Sequence, residues 1–349
     1  MSLPLVSIIT PTYNHQEYIA DCINSALTQS YKNWEILIVD DDSTDQTAKI
    51  VKSFHDRRIK YIHQEHQGGY KLATTYNKAL RQAQGALIAI LEGDDFWPQD
   101  KLAVQTPYFD DPNIILAYGD CIITNESGRN LFYRRIPANK NIRDNSPTGS
   151  ALKGFIKSEN FIYAQTVMIR KDALLKVGGF IQPNYLHLTD FPTWCRLSLA
   201  GQFKAIPHPL GFWRRNIKSV TMANPVIISK EFIRYINEFT REYQSQIKEL
   251  NIDVNPTPNP RLQELGDRDR DYIKALTLFI YGYNQPARQY FGLYLRQSDK
   301  SVFNSLISLL VIIISYTDLP AMILSSAGIH LSGLLESVKK YLLSPKSKN

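Results

Sequence analysis

At 349 residues the chain is too long for one small domain and suits a large domain with an appendage, or two domains. With 44% hydrophobic and 21% charged residues it can bury a sizeable core, which excludes a largely disordered protein. Lys and Arg number 40 against 33 Asp and Glu, and the resulting net charge of +7 leans towards nucleotides, phosphorylated lipids or a membrane surface. It is too mild to argue for nucleic acid, and no signature of the usual DNA or RNA modules is visible.

The opening MSLPLVSIIT lacks a basic stretch followed by a long apolar one, so no signal peptide is expected. Continuous apolar runs at 6–10, 35–39, 59–62, 86–91 and 114–118 predict parallel strands buried on both faces. Amphipathic stretches at 17–27, 45–54, 72–82 and 101–109 predict the helices between them, with Ser43 or Thr44 starting the second and Gly85 closing the third. This alternation predicts an open, mostly parallel α/β sheet flanked by helices, in which ligands bind beyond the carboxyl ends of the strands. Residues 125–150 are polar, with Gly128, Pro137, Pro147 and Gly149, and read as a loop or flap. Apolar pattern returns at 165–169, in Gly178-Gly179-Phe180, in a helix near 191–200 and in a strand near 203–206.

After about Pro225 the character turns helical, at 227–250 and 267–279, with a proline-rich break at 255–260. The piece 281–295 resembles one helix of a tetratricopeptide-type hairpin, but no second copy follows at a fixed period. Residues 302–324 are the most apolar part, followed by Lys339, Lys340, Lys346 and Lys348. That combination suits an interfacial membrane contact or a buried helix of a C-terminal region, and a full span less, because Asp318 and Pro320 interrupt it. Cys22, Cys121 and Cys195 are odd in number and far apart, which fits neither a disulfide framework nor zinc spacing but does fit a reducing cytoplasm.

The residues that follow the first apolar runs single out one edge of the sheet. They are Pro11-Thr12-Tyr13-Asn14, then Asp40-Asp41-Asp42, then Glu92-Gly93-Asp94-Asp95. Adjacent carboxylates repel, and two acidic strand ends on one edge are expected only where something compensates them. Hard cations such as Mg2+ and Mn2+ take oxygen ligands, commonly one or two carboxylates plus substrate phosphates. Asp42 or Ser43 is expected to cap the following helix. No GxGxxG and no GxxxxGK[ST] occurs, so dinucleotide-binding and P-loop chemistries lack their fingerprint. His63, His66, His187 and His208 have no metal-ligand spacing, although His66 or His187 could line a cleft.

Two families place aspartates in this way. Asp40, Asp42 and Thr44 resemble the opening motif of haloacid-dehalogenase-like phosphatases, with ILEGDD as their later acidic motif and Lys71 or Lys78 as the lysine between. That reading leaves most of the chain unexplained. The run VSIITPTYNHQEYIADCINSALTQSYKNWEILIVDDDSTDQT resembles the opening of family 2 glycosyltransferases of the GT-A fold. The resemblance continues through 66–80, GALIAILEGDDFWPQDKL, VGGF at 177–180 and LTDFPTWCRLSLAGQ to FWRRNIKSVT, covering roughly residues 5–222. Three positions depart from the family pattern: Asp42 in place of a glycine, Glu92 as the first acid of the metal motif, and Tyr76 where an arginine is common.

The resemblance implies a GT-A domain over 1–222 and a C-terminal helical region over 223–349. It implies an inverting transferase that takes a sugar from a nucleotide-diphospho-sugar, a UDP-sugar, with Mn2+ or Mg2+, for a glycan or lipid-linked acceptor in bacterial surface-polysaccharide or glycolipid assembly. It places Pro11, Thr12 and Tyr13 in the nucleotide pocket, Asp41 on the base, Asp94 and Asp95 on the metal and ribose, and Asp190 as the catalytic base. Physical reading agrees for Asp190, which follows the expected N-cap Thr189 and sits where a helix end favours a charged carboxylate. Arg214 and Arg215, after Phe212-Trp213, are expected to face diphosphate or an anionic acceptor. A third reading is a GT-A domain without activity, serving as an interaction module. The expected location is the cytoplasm, peripheral on the inner face of the membrane through 302–349.

Overall fold

The computed structural model of the chain describes residues 3–156, 160–216, 225–251, 275 and 284–295. The expected helix at 267–279, the proline-rich break at 255–260 and the apolar segment 302–324 with its lysines lie outside the described residues, apart from helical Ala275. Two compact units divide the chain. The first comprises Met1–Thr124, Tyr133–Arg214 and Arg234–Pro256; the second comprises Asn125–Phe132, Arg215–Ile233 and Thr257–Asn349.

One sheet dominates the first unit, built from β1 (Val6–Thr12), β2 (Trp34–Asp40), β3 (Ile59–His63), β4 (Leu87–Ile90), β5 (Ile114–Thr124), β6 (Asn130–Arg134), β7 (Met168–Arg170) and β8 (Gln202–Arg214). Their order is β3-β2-β1-β4-β7-β5-β6, with β8 also paired to β5. The pairs β1–β2, β1–β4, β2–β3 and β5–β8 are parallel; β7 runs antiparallel to both β4 and β5. The sheet is therefore mostly parallel, as the continuous apolar runs require. Every residue of β1, β2, β4 and β5 is buried.

Helices α1 (Ile19–Leu27), α2 (Thr47–Lys52), α3 (Leu72–Gln82) and α4 (Lys101–Gln105) fill the crossovers. The core joins Val6, Ile8, Ile36, Ile38, Leu87 and Ala89 from the strands with Ile19, Cys22, Ile23 and Ala26 from α1. Such burial of branched side chains contributes roughly 1.5–3 kcal/mol each. All three cysteines are free and buried, as small apolar residues.

Several local expectations are corrected. Gly85 does not cap α3; it is needed because a Cβ there would lie 2.5 Å from the Leu5 carbonyl oxygen. Helix α2 starts at Thr47 and not at Ser43, because Asp45 Oδ1 accepts from Thr47 N (2.9 Å) and Asp42 takes a left-handed conformation at φ 68°. The polar stretch 125–150 is not all loop: it holds β6 and the helix α5 (Lys140–Asp144), capped by Asn139. The expected 227–250 helix is two, α9 (Pro225–Glu242) and α10 (Gln244–Glu249). Short α6 (Leu152–Ile156), α7 (Lys171–Lys176) and α8 (Asp190–Ser198) complete the first unit. Within that unit the later turns of α9 lie against α8, where the Tyr235 hydroxyl donates to the Pro192 carbonyl at 3.3 Å and the Phe191 and Tyr235 rings meet edge to face. In the second unit, α11 (Asn284–Leu295) buries Ala287, Phe291 and Tyr294 along one stripe.

Candidate active site

The site grows from the end of β1, which lies between β2 and β4 and therefore holds both acidic strand ends. The Thr12 carbonyl accepts from Asp41 N (2.9 Å) and the Pro11 carbonyl from Gly93 N (3.0 Å). Close approach is enforced at Gly93, where a Cβ would stand 2.6 Å from Thr12 Oγ1 and 2.7 Å from His15 Nδ1. Pro11 and Thr12 are thus buried strand residues that act through their backbone. Tyr13, just beyond, is 41% exposed, with its ring 4.4 Å from that of His66.

The three adjacent aspartates have different surroundings. Asp40 is fully buried; its carboxylate accepts from Ser43 N (2.9 Å) and the Tyr61 hydroxyl (2.7 Å) and so fixes the turn after β2. Asp41 holds the 64–68 loop: Gln64 Nε2, Gln67 N and Gly68 N donate to it at 2.6, 2.9 and 3.1 Å, and His66 Nδ1 lies 3.0 Å from Oδ2. Asp42 points out to His63 at 3.0 Å. A phosphatase nucleophile must reach phosphorus, and a walled-in Asp40 does not. Lys78, one nominee for the phosphatase lysine, donates instead to the His63 carbonyl at 2.9 Å.

Glu92, Asp94 and Asp95 bring one carboxylate oxygen each to within 4.8 Å of one another. Asp95 is buried, and its Oδ1 accepts from the Arg214 backbone N–H at 2.8 Å. Its Oδ2 is buried without a hydrogen-bond partner. Burial first, then the charges of Asp94 and Glu92, push Asp95 well above the usual carboxylate range. Burial and Asp94 likewise raise Glu92 to about 7. Crowded carboxylates with an orphaned buried oxygen suit a divalent cation, whose charge would offset their repulsion. The donor set, all oxygen, fits Mn2+ or Mg2+.

Asp190 opens α8 and is partly buried. Thr189 occupies the N-cap position but makes no side-chain cap, contrary to expectation; the Thr193 hydroxyl bonds back to the Thr189 carbonyl at 2.7 Å. Asp190 Oδ2 accepts from Asn160 Nδ2 at 3.1 Å. Burial raises its carboxyl above the ordinary value, partly offset by the Phe191 N–H and the Asn160 amide. Its charge also contributes to the upward shifts of Glu92 and Tyr76.

Arg214 touches this centre through its backbone. Its guanidinium is buried between Tyr18 and Phe96, 4.7 and 5.1 Å from their centroids, and pairs with Asp21 at 3.0 Å. Arg215 is buried and belongs to the second unit. Sequence reading missed Asn160, which has no pattern around it, and the amide of Asn77. The latter pairs with both backbone groups of Phe180, at 2.8 and 2.9 Å, and fixes the Gly178–Phe180 loop.

Comparison with known proteins identifies this arrangement. The description "Glycosyl transferase family 2" matches residues 7–178. The chain is 34% identical over 200 residues to TuaG of Bacillus subtilis (strain 168), a glycosyltransferase provisionally assigned to teichuronic acid biosynthesis; the match covers 57% of this chain and 73% of TuaG. The chain belongs to glycosyltransferase family 2. This family 2 glycosyltransferase is also 41% identical over 143 residues to the Escherichia coli UDP-Glc:alpha-D-GlcNAc-diphosphoundecaprenol beta-1,3-glucosyltransferase WfgD, spanning 40% of this chain and 56% of that one. Its fold resembles that of S. aureus TarS (residues 1–349, in complex with UDP-GlcNAc), with a TM-score of 0.53 at 17% identity and 89% of each chain covered. It also resembles the mannosyltransferase PcManGT of Pyrobaculum calidifontis in complex with GDP-Man and Mn2+, with a TM-score of 0.50 at 18% identity over 98% of this chain and 88% of that one. The open, mostly parallel sheet is therefore that of GT-A glycosyltransferases.

Proposed function

We propose that this glycosyltransferase moves a sugar from a UDP-sugar to a hydroxyl of a lipid-linked or glycan acceptor in bacterial surface-polysaccharide assembly, with inversion at the anomeric carbon. The observation that carries the reading is the Glu92–Asp95 cluster, whose crowded carboxylates and partnerless Asp95 oxygen make a place for a diphosphate-bound cation. The donor class and the lipid-linked acceptor follow the E. coli relative, whose name carries both.

Asp190 takes the proton of the acceptor hydroxyl as that oxygen bonds to the anomeric carbon. The bond from that carbon to the diphosphate oxygen breaks on the opposite face, and the nucleoside diphosphate leaves. Such a base contributes roughly 10²–10⁴-fold in rate. Asp94 and Asp95 would hold Mn2+ or Mg2+, which when bound offsets charge developing on the diphosphate. Arg214 keeps Asp95 in place through its N–H and adds positive charge behind it; Arg215 contributes to the anionic side of the donor or acceptor. Tyr13 and His66 offer faces to the nucleotide base, and Asp41 accepts the ring N–H as the His66 imidazole gives up its place on Oδ2. Pro11 and Thr12 hold the pocket floor. The apolar 302–324 segment and the lysines after it bring the enzyme to the inner membrane surface, peripherally, from the cytoplasm.

Calorimetry with UDP-glucose and with UDP-N-acetylglucosamine, each with Mn2+ or with excess chelator, tests this reading. Metal-dependent binding of at least one is expected. Absence of binding to both would leave an inactive interaction module as the better account.

A further inference from the structure

Two aromatic rings that the mechanism does not use join the segment that holds Asp95 to the segment that holds Asp190. At the end of β8, Arg214 N donates to Asp95 Oδ1 (2.8 Å), and the Phe212 ring stacks on Phe96 with centroids 4.5 Å apart. Side chains alternate along a strand, so Trp213 leaves the opposite face from Phe212 and shares that of Gly211. That face is turned to residues 163–165. A Cβ on Gly211 would lie 2.8 Å from Gln165 Cγ, and the Trp213 ring lies 5.6 Å from that of Tyr163, tilted by 45°. On the same segment as Tyr163, Asn160 donates to Asp190 Oδ2 at 3.1 Å. We propose that Tyr163 and Trp213 form a platform on which a sugar ring of the acceptor stacks, so that the acceptor is a pyranoside at its reacting end.

Given the donor reading above, contacts on both sides place the pair. Trp213 precedes the residue whose N–H holds Asp95, and Tyr163 follows the asparagine that holds Asp190, so the rings span from the cation site to the base. The donor is gripped at its diphosphate, whereas the base must touch the acceptor hydroxyl, and the acceptor's sugar needs a surface beside that base. Glu92 is tied elsewhere, to the Tyr76 hydroxyl of α3 at 2.5 Å, so the α3 side offers a polar pair and the β8 side the rings. The backing of the platform is fixed. Trp194 Nε1 of α8 donates to the Ile162 carbonyl (3.2 Å) and Trp97 Nε1 to the Gln165 carbonyl (2.8 Å). Ile162 and Ala164 are buried, while Tyr163 between them is half-buried, as is Trp213. Rings held partly in solvent on a fixed backbone keep an apolar surface at the rim of a polar site, and little freedom is lost when a ligand meets it. A pyranose suits that surface, because its C–H groups make a flat apolar face while its hydroxyls stay at the edge. An open-chain polyol has no such face.

The test titrates butyl glucoside, butyl N-acetylglucosaminide and, as the open-chain control, sorbitol phosphate into the full chain by ligand-observed NMR, with and without Mg2+ and UDP. Wild type should bind at least one glycoside in preference to the polyol, and irradiating aromatic protons should transfer saturation to the glycoside's ring C–H protons. Trp213→Leu and Tyr163→Leu, which keep apolar bulk but lose the ring, should each weaken that glycoside ~10-fold. Trp213→Phe and Tyr163→Phe should keep most of the affinity. Calorimetry with UDP-glucose and UDP-N-acetylglucosamine should stay within about twofold of wild type in all four variants. In transfer assays the acceptor KM should rise and the donor KM should not. Glycoside affinity unchanged in both leucine variants would overturn the platform, as would a wild type that binds a UDP-sugar but prefers sorbitol phosphate or binds no glycoside. A fall in UDP-sugar affinity as large as the glycoside loss would make the rings part of the donor pocket and also overturn it. Should a leucine variant fail to fold, the saturation-transfer result on wild type decides, and no transfer from aromatic protons refutes the stacking. Wild-type protein that binds no UDP-sugar would instead defeat the donor reading, while the titration without nucleotide still reports on the platform.

Discussion

Asp190 combines a partly buried carboxylate with one amide donor, and this sets the expected pH behaviour. Its folded value is raised by burial, so the base form is lost on acidification at a higher pH than an ordinary aspartate would show. Transfer should therefore fall on the acid limb earlier than for an exposed carboxylate. Asn160→Ala removes a donor that favours the charged form, so the limb should move to higher pH still, as read in a kcat/KM profile. An unmoved limb would separate Asn160 from the base. At this scale the sequence was partly legible. Asp190 could be named from the resemblance, and Asp42 stood out where a glycine is usual; its φ of 68° is the reason a glycine suits that place. Asn160 and Tyr76 had no such legibility as partners, because a hydrogen bond across 30 or 16 residues leaves no spacing to read.

Elements bring these residues together through backbone contacts at the end of β1. Gly93→Ala would drive a methyl group into Thr12 and His15, and overpacking of this kind costs about 1–3 kcal/mol. Urea unfolding should show that loss, and calorimetry a weaker Mn2+–UDP complex. A second tie lies at the opposite end of the strands. Glu35 of β2 accepts from the Ser7 hydroxyl (2.7 Å), Gln84 N (2.7 Å) and Lys60 Nζ (2.6 Å), joining β1, β2, β3 and the turn before β4. Burial pushes its carboxyl up, but the bonds from Lys60, Ser7 and Gln84 outweigh this and hold it below the ordinary glutamate range. A depressed folded value means the stabilisation is present above the unfolded value and lost as pH falls through the folded one. Glu35→Ala should cost ~2–3 kcal/mol near pH 7, and the gap from wild type should narrow in urea melts towards pH 4.

Strand and helix positions in the first half were legible because burial on both faces writes continuous apolar runs. Strand β8 was read only as 203–206, since Pro207 and Pro209 look like an ending. In the fold the strand continues to Arg214, with register shifts against β5 at Gly119–Cys121 that absorb the prolines. Short β6 escaped because none of its five side chains is fully buried and polar neighbours surround it.

For the whole molecule, the resemblance over several motifs in order decided what single motifs left open. The Asp40-x-Asp42-x-Thr44 pattern reads equally as a phosphatase opening, and the fold removes that reading by burying Asp40 against Ser43 and Tyr61. The protein should accordingly release no phosphate from a generic monoester with Mg2+. Among the described residues no helix is long and apolar enough to cross a membrane. The proposed peripheral contact rests instead on the apolar 302–324 segment and the lysines after it, read from the sequence. Vesicle sedimentation with anionic lipid should retain the full chain, and a truncation before residue 302 should release it.

The central claim, a metal-supported inverting transfer with Asp190 as base, is tested most directly by Asp190→Asn measured for binding and turnover together. The account predicts UDP-sugar affinity within about twofold of wild type and transfer reduced by roughly 10²–10⁴-fold or more. Turnover equal to wild type in the asparagine variant would contradict it.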